Sequence, residues 1–412
     1  MLIYSKESAR TEHIILHHYE STRILVEKRS RFLNSGFILV SISHALNHAY
    51  ESLLPILYPL LLSEFGLSYS LIGVISMGYR LSGGLLQLLM GFLGRFFRRK
   101  YLLGFGLIWT SISNSLMIFS QNFSHILLSR SLAGIGSSPQ HPTGSSYIAD
   151  TFPKNQLGKA LGINLVVASL GRFLTPFIGS LLLVTLGWRL TALVFTVPGL
   201  IVGGLFLFIS EKKRLEQWSS LSSFKIMSKG VTTVLKDKVV LVVMIVEMIM
   251  AFRVGASDFI PSFLIKVGLT PLEAGFLFTA FLGAGLPSPY VWGYLSDKIE
   301  RRKIVMLSMG LAAFLWYLLP YSGNYLSLLM VLVPLGFACQ GVGGVIQAFV
   351  AEVTLPENRD IIYGIYYTLA FTLGSFSPVI IGYLADSIGF QASFTYVGII
   401  SLSAVITAYF MK

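Results

Sequence analysis

The sequence predicts an all-α membrane protein with twelve transmembrane helices in two pseudo-symmetric six-helix bundles. Three observations carry that prediction. Of 412 residues, 54% are hydrophobic and only 12% charged, with mean hydropathy +0.72. A soluble domain carries roughly twice that charge. Apolar runs near the ~20 residues needed to cross a bilayer recur along the chain. The chain also repeats itself at an offset of about 202 residues, as pseudo-two-fold transporters do, with the binding site between their halves.

Residues 1–35 are polar and charged. They lack the short apolar core and cleavage site of a signal peptide, and are expected to form a cytoplasmic segment, in part an amphipathic surface helix. His13, His17 and His18 there have a spacing that suits a metal, and equally suits a solvated basic face. Six spans follow within 36–210, near 36–62, 70–93, 101–120, 125–149, 157–186 and 188–210. Residues 211–238 are the long polar interruption, from Glu211-Lys212-Lys213-Arg214 through a Ser-rich stretch to Lys236-Asp237-Lys238, and read as a cytoplasmic linker. Six more spans fill 239–412, near 239–265, 272–295, 304–321, 325–351, 360–385 and 390–411. The other loops are short, so consecutive spans are antiparallel neighbours. Pro55, Pro59, Pro176, Pro261, Pro287, Pro289, Pro334 and Pro378 fall inside spans, where neighbouring helices can re-satisfy the freed backbone groups.

The repeat is legible residue by residue. Gly66-Leu67-Ser68 returns as Gly268-Leu269-Thr270, Gly73 as Gly275, and Pro176 as Pro378. Gly91 with its basic cluster Arg98, Arg99, Lys100 returns as Gly293 with Arg301, Arg302, Lys303. Ala149-Asp150 returns as Ala351-Glu352.

A formal charge of +12 raises the question of nucleic acid. Of the 31 Lys and Arg, however, 25 fall on one side of the predicted membrane: the N-terminal segment, the linker, the 2–3, 4–5, 8–9 and 10–11 loops, and the C-terminus. Cationic loops stay in the cytoplasm, so both termini are expected there, in an inner (cytoplasmic) membrane. The basic balance then reads as topology and contact with anionic lipid. No nucleic-acid recognition fold is visible. Cys339 is the one cysteine, which leaves no intrachain disulfide or cysteine metal site. No cofactor or metal is expected, and the chain is expected to be a monomer.

Ionisable residues at membrane depth are expensive and are functional by default. His44, His48 and Glu51 stand at i, i+4 and i+7, on one face of span 1. Arg80 lies in span 2, Arg130 in span 4 and Arg172 in span 5; span 7 carries Glu247, Arg253 and Asp258. Glu247 and Asp258, eleven apart, share a face of a regular helix. Gln340 and Gln347, seven apart, do the same on span 10. His44, Asn47 and the two glutamines read either as substrate ligands or as packing glue. Arg130 reads either as functional or as a structural partner of Asp150 or of backbone carbonyls. Arg80, Arg172 and Arg253 stay charged at any relevant pH, so each needs a carboxylate, a carbonyl cluster or an anionic ligand. Glu51 and Arg253 are repeat mates, which suggests a charge pair across a central cavity, against separate partners within each half.

Several motifs resemble the major facilitator superfamily. Gly293-Tyr-Leu-Ser-Asp297-Lys298-Ile-Glu300-Arg301-Arg302-Lys303 is similar to its loop signature, whose acid helps latch the cytoplasmic side; the N-half copy has Arg95 at that place. Arg130-Ser-Leu-Ala-Gly134-Ile-Gly136 resembles the fourth-span signature, whose Arg is tied to proton coupling. Gly171-Arg-Phe-Leu-Thr175-Pro176-Phe-Ile-Gly179 resembles the fifth-span signature of antiporters, with Thr175 for a Gly. His44-Ala-Leu-Asn47-His48, Leu57-Tyr58-Pro59-Leu60-Leu61, Ser63-Glu64-Phe65-Gly66-Leu67-Ser68 and the His141-Pro142 pair resemble the fosmidomycin-resistance branch, which usually has an Asp where His48 stands. The resemblance implies a central cavity lined by spans 1, 4, 7 and 10, and a drug exporter driven by protons.

The expectation is therefore a proton-coupled secondary transporter, not an enzyme, exporting a small organic compound, with an anion among the candidates. The alternative is a proton symporter importing an organic or phosphorylated anion. Arg80, Arg172, Arg253, His44, Asn47, Gln340 and Gln347 are the candidate substrate ligands. His48, Glu51, Glu247, Asp258 and Arg130 are the candidates for proton coupling, since His titrates nearest neutral pH. Asp297, Arg301, Asp150 and Glu352 are the candidate gate or latch groups. A membrane enzyme or sensor lacks support, because no nucleotide loop, triad or soluble domain is evident.

Overall fold

The computed structural model describes residues 34–94, 96–211, 237–354 and 359–411. His13, His17, His18, Arg95 and most of the linker lie outside them. Among the described residues, fifteen α-helices follow one another: α1 Ser35–Phe65, α2 Tyr69–Leu93, α3 Arg99–Ser115, α4 Phe123–Ser137, α5 Gln140–Thr151, α6 Lys154–Leu205, α7 Lys238–Ala251, α8 Ile260–Lys266, α9 Pro271–Ala284, α10 Ser288–Lys298, α11 Arg301–Leu318, α12 Tyr325–Val353, α13 Arg359–Gly374, α14 Ser377–Ser387 and α15 Phe390–Ala408. Short 3-10 turns extend several of them, and no strand occurs among the described residues.

Each predicted apolar segment falls on helix. Among the described residues, nine stretches are long and apolar enough to cross a membrane, and one of these runs over 53 residues, Gln156–Phe208. That length is about twice a single crossing. It is broken at Gly187, whose φ of 72° is non-helical. α1 and the α4–α5 pair fall outside the nine; these are the segments whose apolarity is diluted by the polar residues of the site.

The repeat has a backbone reason. Among the described residues, the four glycines with positive φ are Gly66, Gly187, Gly268 and Gly389. Gly66 and Gly268 are repeat mates, and Gly187 and Gly389 share the same offset. Only glycine enters this left-handed region without steric cost. Each one ends a helix or turns it back at the end of the bundle opposite the basic loops. After Gly66, the Ser68 hydroxyl accepts from the Leu71 amide. After Gly268, Thr270 caps α9 in a capping box with Glu273. The recurring Gly-Leu-Ser/Thr is thus a helix stop followed by a helix start.

The halves pack first within themselves, α1 and α3 on α6 and α11 on α12 and α15. They then meet through α2 on α14 and α6 on α9. Tight approaches mark that junction. A Cβ on Gly73 would stand 2.4 Å from the Pro378 carbonyl, and one on Gly275 would stand 2.3 Å from Ser180 Cβ. Asp386, at the end of α14, accepts from the amides of Tyr69 and Ser70 at 2.9 and 2.8 Å and so caps α2 across the junction. At the basic-loop end the ion pairs stay within each half. Arg99 meets Asp150 and Arg301 meets Glu352. These two pairs are related by the repeat, since both partners keep the offset. The outer face is apolar, with Phe208 85% and Phe119 72% exposed, as expected of surface turned to lipid rather than water.

Candidate functional site

A cavity of about 370 Å³ lies between the halves. Its wall includes Glu51 of α1, Arg80 of α2, Arg172 of α6, Arg253 and Asp258 of the seventh span, and Gln340 of α12. Three arginines thus face two carboxylates in one space.

The seventh span is shaped for this. α7 ends at Ala251, a 3-10 turn covers Val254–Phe259, and α8 resumes at Ile260 with Pro261 in its first turn. Breaking a helix at membrane depth frees backbone groups, which need new partners. Ser377 supplies them: its hydroxyl donates to the Phe252 carbonyl at 2.6 Å and accepts from the Gly255 amide at 3.1 Å. Gly255 permits the approach, because a Cβ there would be 2.5 Å from the Pro378 nitrogen. The break turns Asp258 to the N-half, where Arg80 Nη2 donates to both its oxygens at 3.0 and 3.1 Å. Ser76 donates to the same carboxylate at 2.7 Å.

Arg80 is shared. Its Nη1 lies 3.3 Å from Glu51 Oε1. Glu51 Oε2 takes Arg172 Nη2 at 3.1 Å and stands 3.0 Å from His48 Nδ1. A chain of alternating charge therefore runs Arg172–Glu51–Arg80–Asp258, from one half into the other. Arg80 and Asp258 are 16% and 8% exposed at the side chain, so most of each charged group faces protein rather than the cavity.

Three expectations are corrected here. Glu51 and Arg253 are not an ion pair. Glu51 is held by Arg80, Arg172 and His48, while Arg253 Nη2 donates to the Cys339 carbonyl at 3.0 Å. Both line the cavity, so pseudo-symmetry brought them to one space without joining them. Glu247 and Asp258 do not act from a common face either. The 3-10 break resets the register between them, so that Glu247 accepts from Tyr366 on α13 at 2.6 Å while Asp258 turns to α2. Arg130 does not meet Asp150. It bonds Asn114 and lies 4.3 Å from the Tyr79 ring centroid, a cation over an aromatic face.

The remaining candidates divide. His44, Asn47 and His48 share one seam with residues that no sequence signal singled out. His44 Nδ1 lies 2.7 Å from Asn164 Oδ1. Ser43 donates to Gln140 at 2.7 Å, and Asn47 donates to the Ser43 carbonyl at 3.0 Å. Gln340 donates to the Phe281 carbonyl at 3.0 Å from the cavity wall; Gln347 is not on that wall. Asp297 and Glu352 both meet Arg301, at 3.5 and 2.7 Å, inside the C-half. Asp150 meets Arg99 at 2.6 Å inside the N-half. Asn164, Gln140, Ser76 and Tyr366 were missed. Asn164 could have been found as the one amide in the apolar run Gly162 to Ser169; Tyr366 offered no such contrast among its tyrosine neighbours.

Comparison with known proteins bears on what this arrangement serves. The profile described as Major Facilitator Superfamily matches residues 40–270 and 249–412. The fosmidomycin resistance protein of Escherichia coli (strain K12) is 26% identical over 381 residues, covering 90% of this chain and 91% of that protein. The synaptic vesicular amine transporter of Rattus norvegicus is 26% identical over 73% of this chain and 58% of its own length. Among solved structures, a bacterial homolog of the human lysosomal transporter Spinster, inward-facing and occupied, superposes with TM-score 0.79 at 14% identity, covering 91% of this chain and 96% of that one. A nucleoside transporter superposes with TM-score 0.78 at 12% identity, over 92% of this chain and all of that one.

Proposed function

The chain belongs to the Major Facilitator Superfamily and is a multi-pass membrane transporter of small molecules, and we propose that it exports a small organic anion in exchange for protons. The observation that carries this reading is the charge chain Arg172–Glu51–Arg80–Asp258 on the cavity wall. Its Arg80–Asp258 link joins the two halves. Alternating access requires the halves to rock about the bound substrate, and rocking strains any pair that spans them. Breaking a buried pair leaves an uncompensated charge, at about 3–5 kcal/mol. Arg80 keeps Glu51 when the halves part, so a proton on Asp258 removes the penalty, while an anion can take the place of Asp258 on the arginine. Competition between the two for one switch is the chemistry of exchange.

The sign of the substrate follows from the wall. Three arginines outnumber two carboxylates there, and Arg253 keeps a buried Nε with no hydrogen-bond partner. Arginine offers planar, bidentate recognition of carboxylate or phosphate. An amine, the cargo that the vesicular relative's name states, would meet a net positive wall. The name of the resistance protein supports outward movement. The cytoplasmic position of both termini belongs to the same proposal and rests on the 25 basic residues of one side.

The test is flux in proteoliposomes under an imposed pH gradient, screened over anionic, neutral and cationic compounds. Gradient-driven accumulation of an anion, abolished by a protonophore, is the expected result. Transport confined to cations, or accumulation indifferent to the proton gradient, overturns the reading.

A further inference from the structure

Three imidazoles converge at the edge of this site, and the charge chain uses only one of them. His44 and His48 lie a turn apart on α1, and His141 is the second residue of α5. Ring centroids are separated by 4.9 Å for 44–48, 5.0 Å for 44–141 and 5.9 Å for 48–141. One ring nitrogen from each lies within 4.8 Å of the others.

The hydrogen bonding fixes what His44 offers. Asn164 turns its amide nitrogen to Ser41 Oγ at 3.3 Å and its Oδ1 to His44 Nδ1 at 2.7 Å. A carbonyl oxygen only accepts, so Nδ1 carries the ring proton. His44 Nε2 then holds a bare lone pair. It is buried and has no hydrogen-bond partner. A lone pair left dry and unmet is costly. Metal-ligating histidines are commonly oriented in this way, a carbonyl holding the proton of the other ring nitrogen.

We propose that His44, His48 and His141 form a binding site for a divalent transition cation of the zinc class. Ligand chemistry selects the ion: imidazole suits Zn²⁺, Cu²⁺, Ni²⁺ and Co²⁺, whereas Mg²⁺ and Ca²⁺ need oxygen. Zinc–nitrogen bonds of about 2.0–2.1 Å put tetrahedral ligands about 3.4 Å apart. The ring nitrogens lie within 4.8 Å of one another, so the three rings must draw together to take up the ion. Arg172 Nη2 lies 2.8 Å from His48 Nδ1 and opposes a cation there, but Glu51 stands on the same nitrogen at 3.0 Å and offsets its charge. In the tautomer whose Nδ1–H donates to Glu51 Oε2, with Arg172 donating to the same carboxylate at 3.1 Å, His48 Nε2 keeps its lone pair for the ion. Three protein ligands leave a fourth coordination position open, next to a cavity-lining glutamate and arginine.

The full chain, purified in detergent and stripped with a chelator, is titrated with Co²⁺ and then Zn²⁺. The expected result is one Co²⁺ per chain, with the intense visible bands of a tetrahedral site, bleached by Zn²⁺ and untouched by Mg²⁺. His141→Ala and His48→Ala each weaken Co²⁺ binding at least tenfold. Asn164→Ala weakens it about 10–100-fold, because it removes the carbonyl that orients His44. The thermal midpoint without metal reports whether each variant folds, and zinc raises it in the parent chain but not in His141→Ala. A triple variant His13→Ala, His17→Ala, His18→Ala retains the site. No tetrahedral Co²⁺ spectrum, unchanged affinity in folded His141→Ala, or loss of binding only in the N-terminal triple variant overturns the proposal.

Discussion

Arg80 of the N-half and Asp258 of the C-half form a two-pronged ion pair, Nη2 to Oδ1 at 3.0 Å and to Oδ2 at 3.1 Å, which joins the bundles beside the cavity. Asp258→Asn keeps the shape but halves the acceptors, and leaves Arg80 with Glu51 as its one carboxylate. We expect pH-driven flux to fall at least tenfold while substrate exchange survives. Arg80→Lys keeps charge and loses the fork, and should impair both. The swap Arg80→Asp with Asp258→Arg should recover folding relative to either single variant. Flux at the parent level in Asp258→Asn would remove the pair from the coupling mechanism.

How much of this was readable in advance turns on the kind of information each residue needed. The repeat fixed the glycine turns, because a left-handed backbone demands glycine wherever it occurs. Composition and charge placed the polar residues at membrane depth. Pairing was less legible. The offset linked Glu51 to Arg253, yet symmetry relates positions and says nothing of which side chains touch. The eleven-residue spacing from Glu247 to Asp258 assumed a regular helix through Gly255, which Ser377 and Pro378 turn into a 3-10 break. Those two lie over a hundred residues away, and no local pattern reports them.

Asp386 should act as a clasp at the end opposite the basic loops. It receives two backbone amides of α2 and the Ser70 hydroxyl, and a carboxylate at a helix N-terminus is favoured by the dipole. Hydrogen bonds to a charged group contribute about 1.5–3 kcal/mol each, less where water competes. Asp386→Ala should therefore favour opening at that end. In a Cys339→Ser background, a cysteine introduced at Leu67 should react with maleimide several-fold faster when Asp386 is removed. Equal rates would show that α2 needs no such clasp.

The Arg301–Glu352 pair predicts a pH dependence at the basic-loop end. Arg301's hydrogen bonds hold the Glu352 carboxyl below its ordinary 4.5. A lowered carboxylate contributes stability above its unfolded-state value and loses it as pH falls through the folded-state value. Glu352 is about half exposed, so the contribution is at most about 1 kcal/mol. Glu352→Gln should lower the thermal midpoint slightly at pH 7, and the difference should vanish on acidification below the ordinary carboxylate range. A difference that persists unchanged in acid would assign the effect to packing rather than charge.

Topology is tested by labelling. With 25 of 31 basic residues on one side, cysteines introduced at Ser228 and Glu300 in a Cys339→Ser background should be shielded from an impermeant reagent in intact cells and reactive after permeabilisation. Labelling of either from outside would invert the orientation.

Gly73 and Gly275 test whether the junction is symmetric in energy as well as in sequence. They are repeat mates, and each meets the other half through repeat-related partners: Gly73 faces the Pro378 carbonyl, and Gly275 faces Ser180 and, at 3.4 Å, the Pro176 carbonyl. A methyl at either site would stand 2.3–2.4 Å from a backbone oxygen or a Cβ. Neither neighbour is the far end of a flexible side chain, so the helices themselves must move. Overpacking of this kind costs about 1–3 kcal/mol. Gly73→Ala and Gly275→Ala should each lower the thermal midpoint and speed labelling at Leu67→Cys. Gly343→Ala is the control, because a Cβ there meets nothing within 4 Å. In a helix interior that change alone is favourable by up to about 1 kcal/mol. If Gly73→Ala is as harmless as Gly343→Ala while Gly275→Ala is not, the α6–α9 contact alone holds this end closed, and the α2–α14 contact only follows it.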